Sequence, residues 1–291
     1  MYSKNTMKRS TEESSRQIDE LYSALRQADA VLVGAGAGLS AAAGLCYSGQ
    51  RFEKYFSDFH AKYGIRDMYE GGFYPFQTPN EYWAWWSRHI LVNRYEPEPT
   101  PLYDTLFELL TGKDYFVLTT NVDHQFQRHG FSKERLFYTQ GDYGLWQCSK
   151  ACHAQTYDNE ATVRRMIAAQ KDMRVSSELI PRCPKCGAPM TTNLRCDDRF
   201  VEDEGWHAAQ ERYDAYVRTH KEARMLFLEL GVGMNTPGII KLPFWQMAYE
   251  GKHAFYASVS LEAAYCPEKL TGKSVCIAED LATVLGKWRA I

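Results

Sequence analysis

The chain has 291 residues, 45% of them apolar, enough to bury the core of one large domain, or of one domain carrying a smaller inserted module. Its 34 basic and 36 acidic side chains leave a formal charge of −2, so bulk electrostatics point neither to nucleic acid nor to an anionic membrane. No stretch reaches the roughly 18 unbroken apolar residues of a membrane span and the polar start lacks a secretory apolar region, so the expected location is the cytoplasm.

Ser10 and Glu13 have capping-box spacing and Ile18, Leu21 and Leu25 follow at helical period, which predicts an amphipathic helix over residues 11 to 29. A β-branched strand at Ala30 to Val33 then breaks into Gly34-Ala-Gly-Ala-Gly-Leu-Ser40 and continues as a helix. Thr78-Pro-Asn-Glu81 starts another helix, with Tyr82, Trp85, Trp86, His89 and Ile90 along one face, read as core. Short apolar strands follow at 115–119, 225–230, 253–257 and 274–277, and a terminal helix begins near Glu279. This alternation predicts an α/β fold with an open, mainly parallel sheet, whose ligand crevice lies beyond the strand C-termini. Polar residues cluster directly after strands, at Gly34 to Ser40, Thr119 to Asp123, Thr139 to Asp142 and Gly231 to Asn235.

The glycine run has the form of a phosphate cradle, because glycine lets a ligand approach the backbone amides and a helix start favours an anion. Gly34, Ala35 and Gly36 are therefore expected nucleotide contacts. An ordinary dehydrogenase is disfavoured, since no second strand ends in an acidic residue about twenty positions on, and no Gly-Lys-Ser/Thr makes a P-loop. In Thr119-Thr-Asn-Val-Asp-His124 a strand delivers an amide and a carboxylate two residues apart, a pair able to hold a carboxamide such as that of nicotinamide, or else to cap a helix. Cys148-x3-Cys152 and Cys183-x2-Cys186 are two thiolate pairs with knuckle-like spacing; four thiolates complete a tetrahedral zinc site with no open position, so the ion is expected to be structural.

Gly36-Ala-Gly-Leu-Ser40 with Gly44-Leu45, then Thr120-Asn-Val-Asp123, Gln140-Gly141 and the two cysteine pairs, resemble the sirtuin family in order and approximate spacing across residues 30 to 285. The resemblance implies a Rossmann-like NAD-binding domain over 1–146 and 197–291, with a zinc module at 147–196. It further implies that Ala37 and Ser40 lie near NAD, that Asn121 and Asp123 line the ribose and nicotinamide pocket, that Gly231, Gly233 and Asn235 form a phosphate-side loop, and that Ser258, Cys276 and Ile277 lie near the adenosine end. Two departures stand out. Where the family carries a histidine base this chain has Gln140, which cannot take a proton near neutral pH. Where the family carries Pro-Asp-Phe-Arg this chain has Cys46-Tyr-Ser-Gly49, with Arg51 the expected replacement cation. These changes resemble the class M, macrodomain-linked sirtuins. That implies a protein ADP-ribosyltransferase with Asn121, Asp123 and Gln140 as catalytic residues, a lipoylated carrier protein of the glycine-cleavage H type as acceptor, and a macrodomain hydrolase as functional partner. A divergent deacylase and a non-catalytic NAD or ADP-ribose sensor are the competing readings.

Overall fold

The computed structural model describes residues 3–235 and 237–287, with side chains from residue 12 onward. Helix α1 (Ser3–Gln27) leads into β1 (Ala30–Ala35) and the short α2 (Ala37–Ala42). Helices α3 (Gln50–Tyr63), α4 (Met68–Gly72) and α5 (Pro79–Ile90), a π-helical turn (Leu91–Tyr95) and α6 (Pro101–Leu110) precede β2 (Asp114–Thr119) and α7 (Gln125–Arg128). Next come β3 (Leu136–Tyr138), β4 (Gly141–Cys148), β5 (Tyr157–Asp158), α8 (Glu160–Ala169) and β6 (Met190–Leu194). The chain closes with α9 (Glu204–Thr219), β7 (Met225–Leu230), α10 (Lys241–Glu250), β8 (Phe255–Val259), β9 (Ser274–Ile277) and α11 (Leu281–Gly286).

Six strands form a parallel sheet in the order β3-β2-β1-β7-β8-β9, and β5-β4-β6 form a small antiparallel sheet. The fold is thus the expected Rossmann-like α/β one. Strand β1 lies between β2 and β7 with Ala35 level with both Thr119 and Leu230, so three strands end together and open one crevice. Alternate residues of β1 feed opposite faces. Val31, Val33 and Ala35 pack under α1, α6 and α11, whereas Ala30 and Leu32 pack under α9 and α10.

A separate core joins α3, α4 and α5 to the small sheet, with Trp83, Trp85, Phe56 and Phe59 beside Trp146, Cys148 and Met190. The Trp-rich stripe is core, as read. Within it burial pushes His89 down to about 3, so it packs as a neutral ring. The Thr78 cap is present, its hydroxyl oxygen accepting from the Glu81 amide at 3.3 Å. Helix α1 starts at Ser3 instead of near residue 11, because nothing between Lys4 and Arg9 breaks a helix. The backbone of Ser10 is therefore inside a helix, and its side chain lies outside the described ones.

Candidate nucleotide site and thiol cluster

A cavity of about 930 Å³ opens over the C-terminal ends of β1, β2, β7 and β8. Its floor is made by the glycine run. The Gly36 amide donates to the Leu230 carbonyl at 3.0 Å and the Gly38 amide to the Gly231 carbonyl at 2.9 Å. A Cβ on Gly36 would lie 2.7 Å from the Gly231 oxygen, and one on Gly38 2.8 Å from the Gly231 Cα. These glycines serve first to let two backbones touch, and the amides of Gly36 and Gly38 are engaged with the protein itself. Gly231 takes the complementary left-handed turn at φ 61°.

Asn121 faces the cavity from the end of β2, anchored by its own amide group to the Gly36 carbonyl (3.0 Å) and the Ser40 hydroxyl (3.1 Å). Behind it Ser40 donates to Asp123 at 2.5 Å and meets the Tyr103 hydroxyl at 2.9 Å. Ser40 and Asp123 are buried and do not line the cavity; they hold Asn121 in place. Burial pushes the Asp123 carboxyl up, and the Ser40 hydroxyl and Gln125 amide offset this only in part. Asp123 also accepts from the Gln125 amide at 3.2 Å, a local turn contact; the cap position of α7 is His124, whose side chain makes no capping bond, so the capping reading of Asn121 or Asp123 is not met.

Gln140 lines the cavity from the β3–β4 junction. Its carbonyl accepts from the Arg195 amide at 3.0 Å, and Gly141 follows at φ 95°, where a Cβ would fall 1.9 Å from the Asn193 oxygen. Asp142 pins this junction. It accepts from His124 Nδ1 (2.5 Å), Arg94 Nε (2.8 Å) and the Gly144 amide (2.7 Å). Burial pushes the Asp142 carboxyl up, but His124, Arg94 and the amide bring it below the usual carboxylate range. The left-handed backbone of His124, at φ 64°, is what aims its ring at Asp142. Asp197 and Asp198 are exposed, and Asp197 is paired with Arg199.

Of the expected contacts, Gly36, Ala37, Asn121, Gln140, Gly231, Gly233 and Asn235 line the cavity. Others do not reach it. Gly34 and Ala35 are inside β1, where a Cβ on Gly34 would meet Ile240 at 2.4 Å. Ser258 turns into the core and donates to Glu229. Cys276 and Ile277 belong to β9, and the wall on that side is built by residues beyond the strand ends, Ser260 to Ala263 and Asp280. Arg51 is buried, with its guanidinium bonded to Glu98 (2.9 Å), Asn93 (2.8 Å) and the Val92 carbonyl (2.8 Å), so it fastens the loop after Leu45 instead of facing a ligand. Gly38 of the glycine run and Cys46 of the altered loop are in the lining as well, and sequence reasoning missed Tyr69 and Glu262. Position directly after β8 was the available signal for Glu262.

The four expected cysteines converge, their sulfurs all within 4.8 Å of one another. Cys148 and Cys186 are 3.6 Å apart and Cys152 and Cys183 3.7 Å. A tetrahedral ion with metal–sulfur bonds of about 2.3 Å has sulfur–sulfur edges of roughly 3.8 Å, so the donor set fits zinc. Burial pushes the Cys148 thiol up, but the amides of Cys152 and Lys150 bring it down to about 6, which readies a thiolate.

No protein-family model matches the chain. It is 38% identical over 282 residues to a Staphylococcus aureus protein named protein ADP-ribosyltransferase, covering 97% of this chain and 90% of that one. It is 35% identical over 235 residues to a Fusarium oxysporum protein named probable bifunctional ADP-ribose hydrolase/ADP-ribosyltransferase, a match that spans 75% of this chain and 38% of that longer one. In fold it resembles Sir2 solved with a p53 peptide and NAD+, at TM-score 0.55 and 15% identity, covering 94% of this chain and 97% of that one.

Proposed function

From a chain that belongs to the protein ADP-ribosyltransferase family and has the sirtuin fold, we propose an enzyme that takes NAD into the cavity, transfers its ADP-ribose to a protein and releases nicotinamide. The observation that carries this reading is Gln140, an amide that lines the cavity with Asn121 and stands before Gly141, where the sirtuin resemblance expects the deacylating base. NAD supplies a glycosidic bond whose leaving group departs neutral, so its cleavage needs orientation and no general acid. Asn121 has its amide hydrogens tied to Gly36 and Ser40, which fixes the plane of its carboxamide for one orientation of the ligand. Asp123 and Ser40 keep that side chain from rotating, and Gln140 offers both a donor and an acceptor to ribose hydroxyls. A carboxylate acceptor is ionised at neutral pH and needs no base, whereas completing deacylation needs one.

The acceptor in this proposal is a lipoylated carrier protein of the glycine-cleavage H type, and the functional partner a macrodomain hydrolase that removes the modification. The class M resemblance supports both, and the Fusarium relative's name joins an ADP-ribose hydrolase to a transferase. The cysteine cluster, within the inserted segment 147–196, holds a structural zinc; a cytoplasmic location suits its reduced thiols. No described helix is long and apolar enough to cross a membrane.

Labelled NAD incubated with the lipoylated and the unmodified carrier tests the proposal. Label on the lipoylated carrier, with one nicotinamide released per group attached, is expected. O-acyl-ADP-ribose formed from an acylated peptide in step with NAD consumption indicates a deacylase instead, and binding of NAD with no nicotinamide released indicates a sensor.

A further inference from the structure

One wall of the cavity is held by two charges that no solvent reaches. Glu229 lies on β7, two residues before Gly231, and Lys241 opens α10; both side chains are fully buried. The Lys241 ammonium donates to a Glu229 carboxylate oxygen and, at 3.1 Å, to the Ala263 carbonyl. The carboxylate also accepts from Tyr256 (2.9 Å) and Ser258 (3.0 Å). The rings of Trp245 and Tyr265 flank the ammonium at 5.6 and 5.2 Å.

A buried ion pair adds little stability over apolar residues of the same volume, because desolvating both charges offsets their attraction. What this pair accomplishes is geometric. The loop that carries Gly231 to Asn235 leaves β7 just after Glu229 and ends near Lys241, while the loop from Ser260 to Ala263 leaves β8 and is gripped at its last carbonyl. Both loops line the cavity and neither charged residue does; the ammonium holds the second loop at Ala263 and, through Glu229, the end of the strand from which the first loop leaves. Asn121 and Gln140 come from other segments of the lining, after β2 and β3; the proposed function gives those two side chains the nicotinamide and its ribose, which leaves the braced loops for the rest of the nucleotide.

We propose that the Lys241–Glu229 pair is a positioning device that sets the spacing of loops 231–235 and 260–263 for the adenosine diphosphate portion of the nucleotide; this rests on the reading that the cavity binds NAD. Its removal weakens NAD binding and leaves the chemical step nearly intact. The informative variant is the double substitution Lys241→Met with Glu229→Gln, which removes both charges, keeps the volume and still offers an oxygen to Tyr256 and Ser258.

Calorimetric NAD titration, steady-state kinetics and thermal melting on the full chain form the test. The expected result is a near-wild-type melting temperature, NAD affinity weaker by about tenfold through loss of the charged grip on Ala263, and kcat within about twofold at saturating NAD. Tyr256→Phe, which loosens Glu229 while leaving both charges paired, is the gentler variant and is expected to weaken NAD by about threefold even if the double variant does not fold. Unchanged NAD affinity in a folded double variant, or in Tyr256→Phe, overturns the positioning role, as does a fall in kcat with unchanged KM. A folded wild-type protein that binds no NAD overturns the reading of the cavity itself, and the proposal with it.

Discussion

Gly38 and Gly231 approach so closely that neither position has room for a methyl group, and this contact decides how the floor of the cavity is built. Gly38→Ala forces the start of α2 off the Gly231 backbone. The expected outcome is a loss of about 1 to 3 kcal/mol of stability, read by denaturant unfolding, together with weakened NAD binding. Asn121→Ala acts differently, since it removes an oriented amide and leaves the floor in place. Nicotinamide release should fall by about a hundredfold or more while the fold melts within a few degrees of wild type; an unchanged rate takes Asn121 out of the catalytic set. Asn121 was legible in the sequence because it closely follows an apolar strand that ends in polar residues, and Gln140 because it stands before Gly141, where the family resemblance expects a base. Ser258 was not separable from Ser260 on the same footing. The run Ser258-Val-Ser-Leu261 alternates evenly, and which serine leaves the sheet depends on the pairing of β8 with β7, which ends at Val259 and Leu230. Arg51 was misplaced for a related reason, as its partners Asn93 and Glu98 lie more than forty residues away.

Among the elements, the π-helical turn at Leu91–Tyr95 does what a plain continuation of α5 could not. Its wider winding, closed by the Glu96 amide on the Leu91 carbonyl at 2.7 Å, leaves the Val92 carbonyl and the Asn93 side chain to receive Arg51. Glu98 completes the clasp, receiving Arg51, Tyr55 and Lys54. Burial pushes the Glu98 carboxyl up, but those donors bring it down to about 2 from an ordinary 4.5. A carboxylate held below its unfolded value stabilises the fold above that value, and the contribution drains away as pH falls toward the folded one. The melting-temperature gap between wild type and Glu98→Gln should therefore be constant above about pH 5 and close as the pH is lowered toward 2. A gap that does not change across that window removes Glu98 from the clasp. Sequence periodicity revealed α5 and its Thr78 cap because both are local. The π turn finds its partner in Arg51, about forty residues away, so no pattern within residues 91–95 announces it.

For the molecule as a whole, the cysteine cluster and the tryptophan-rich core are one unit, with Cys148 and Cys183 packed in the same apolar cluster as Trp83 and Trp146, whose rings meet at 4.9 Å. The proposed zinc predicts that a chelator at neutral pH lowers the melting temperature by about 10 °C or more and shifts tryptophan emission, and that added zinc reverses both changes. Emission and melting that ignore the chelator count against a structural ion. The cysteine spacing alone revealed the cluster; its union with α3 to α5 was hidden, because aromatic side chains carry no mark of which distant segment they meet. A last consequence follows from β1, which is hydrogen-bonded along both edges and ends under the cavity. Its amides exchange with solvent only when the whole sheet opens, whereas the loops around the mouth exchange through small local fluctuations. In deuterium exchange the floor of the cavity should therefore be silent with or without nucleotide. The footprint of NAD should be written on the rim, at residues 44–49, 231–235 and 260–263.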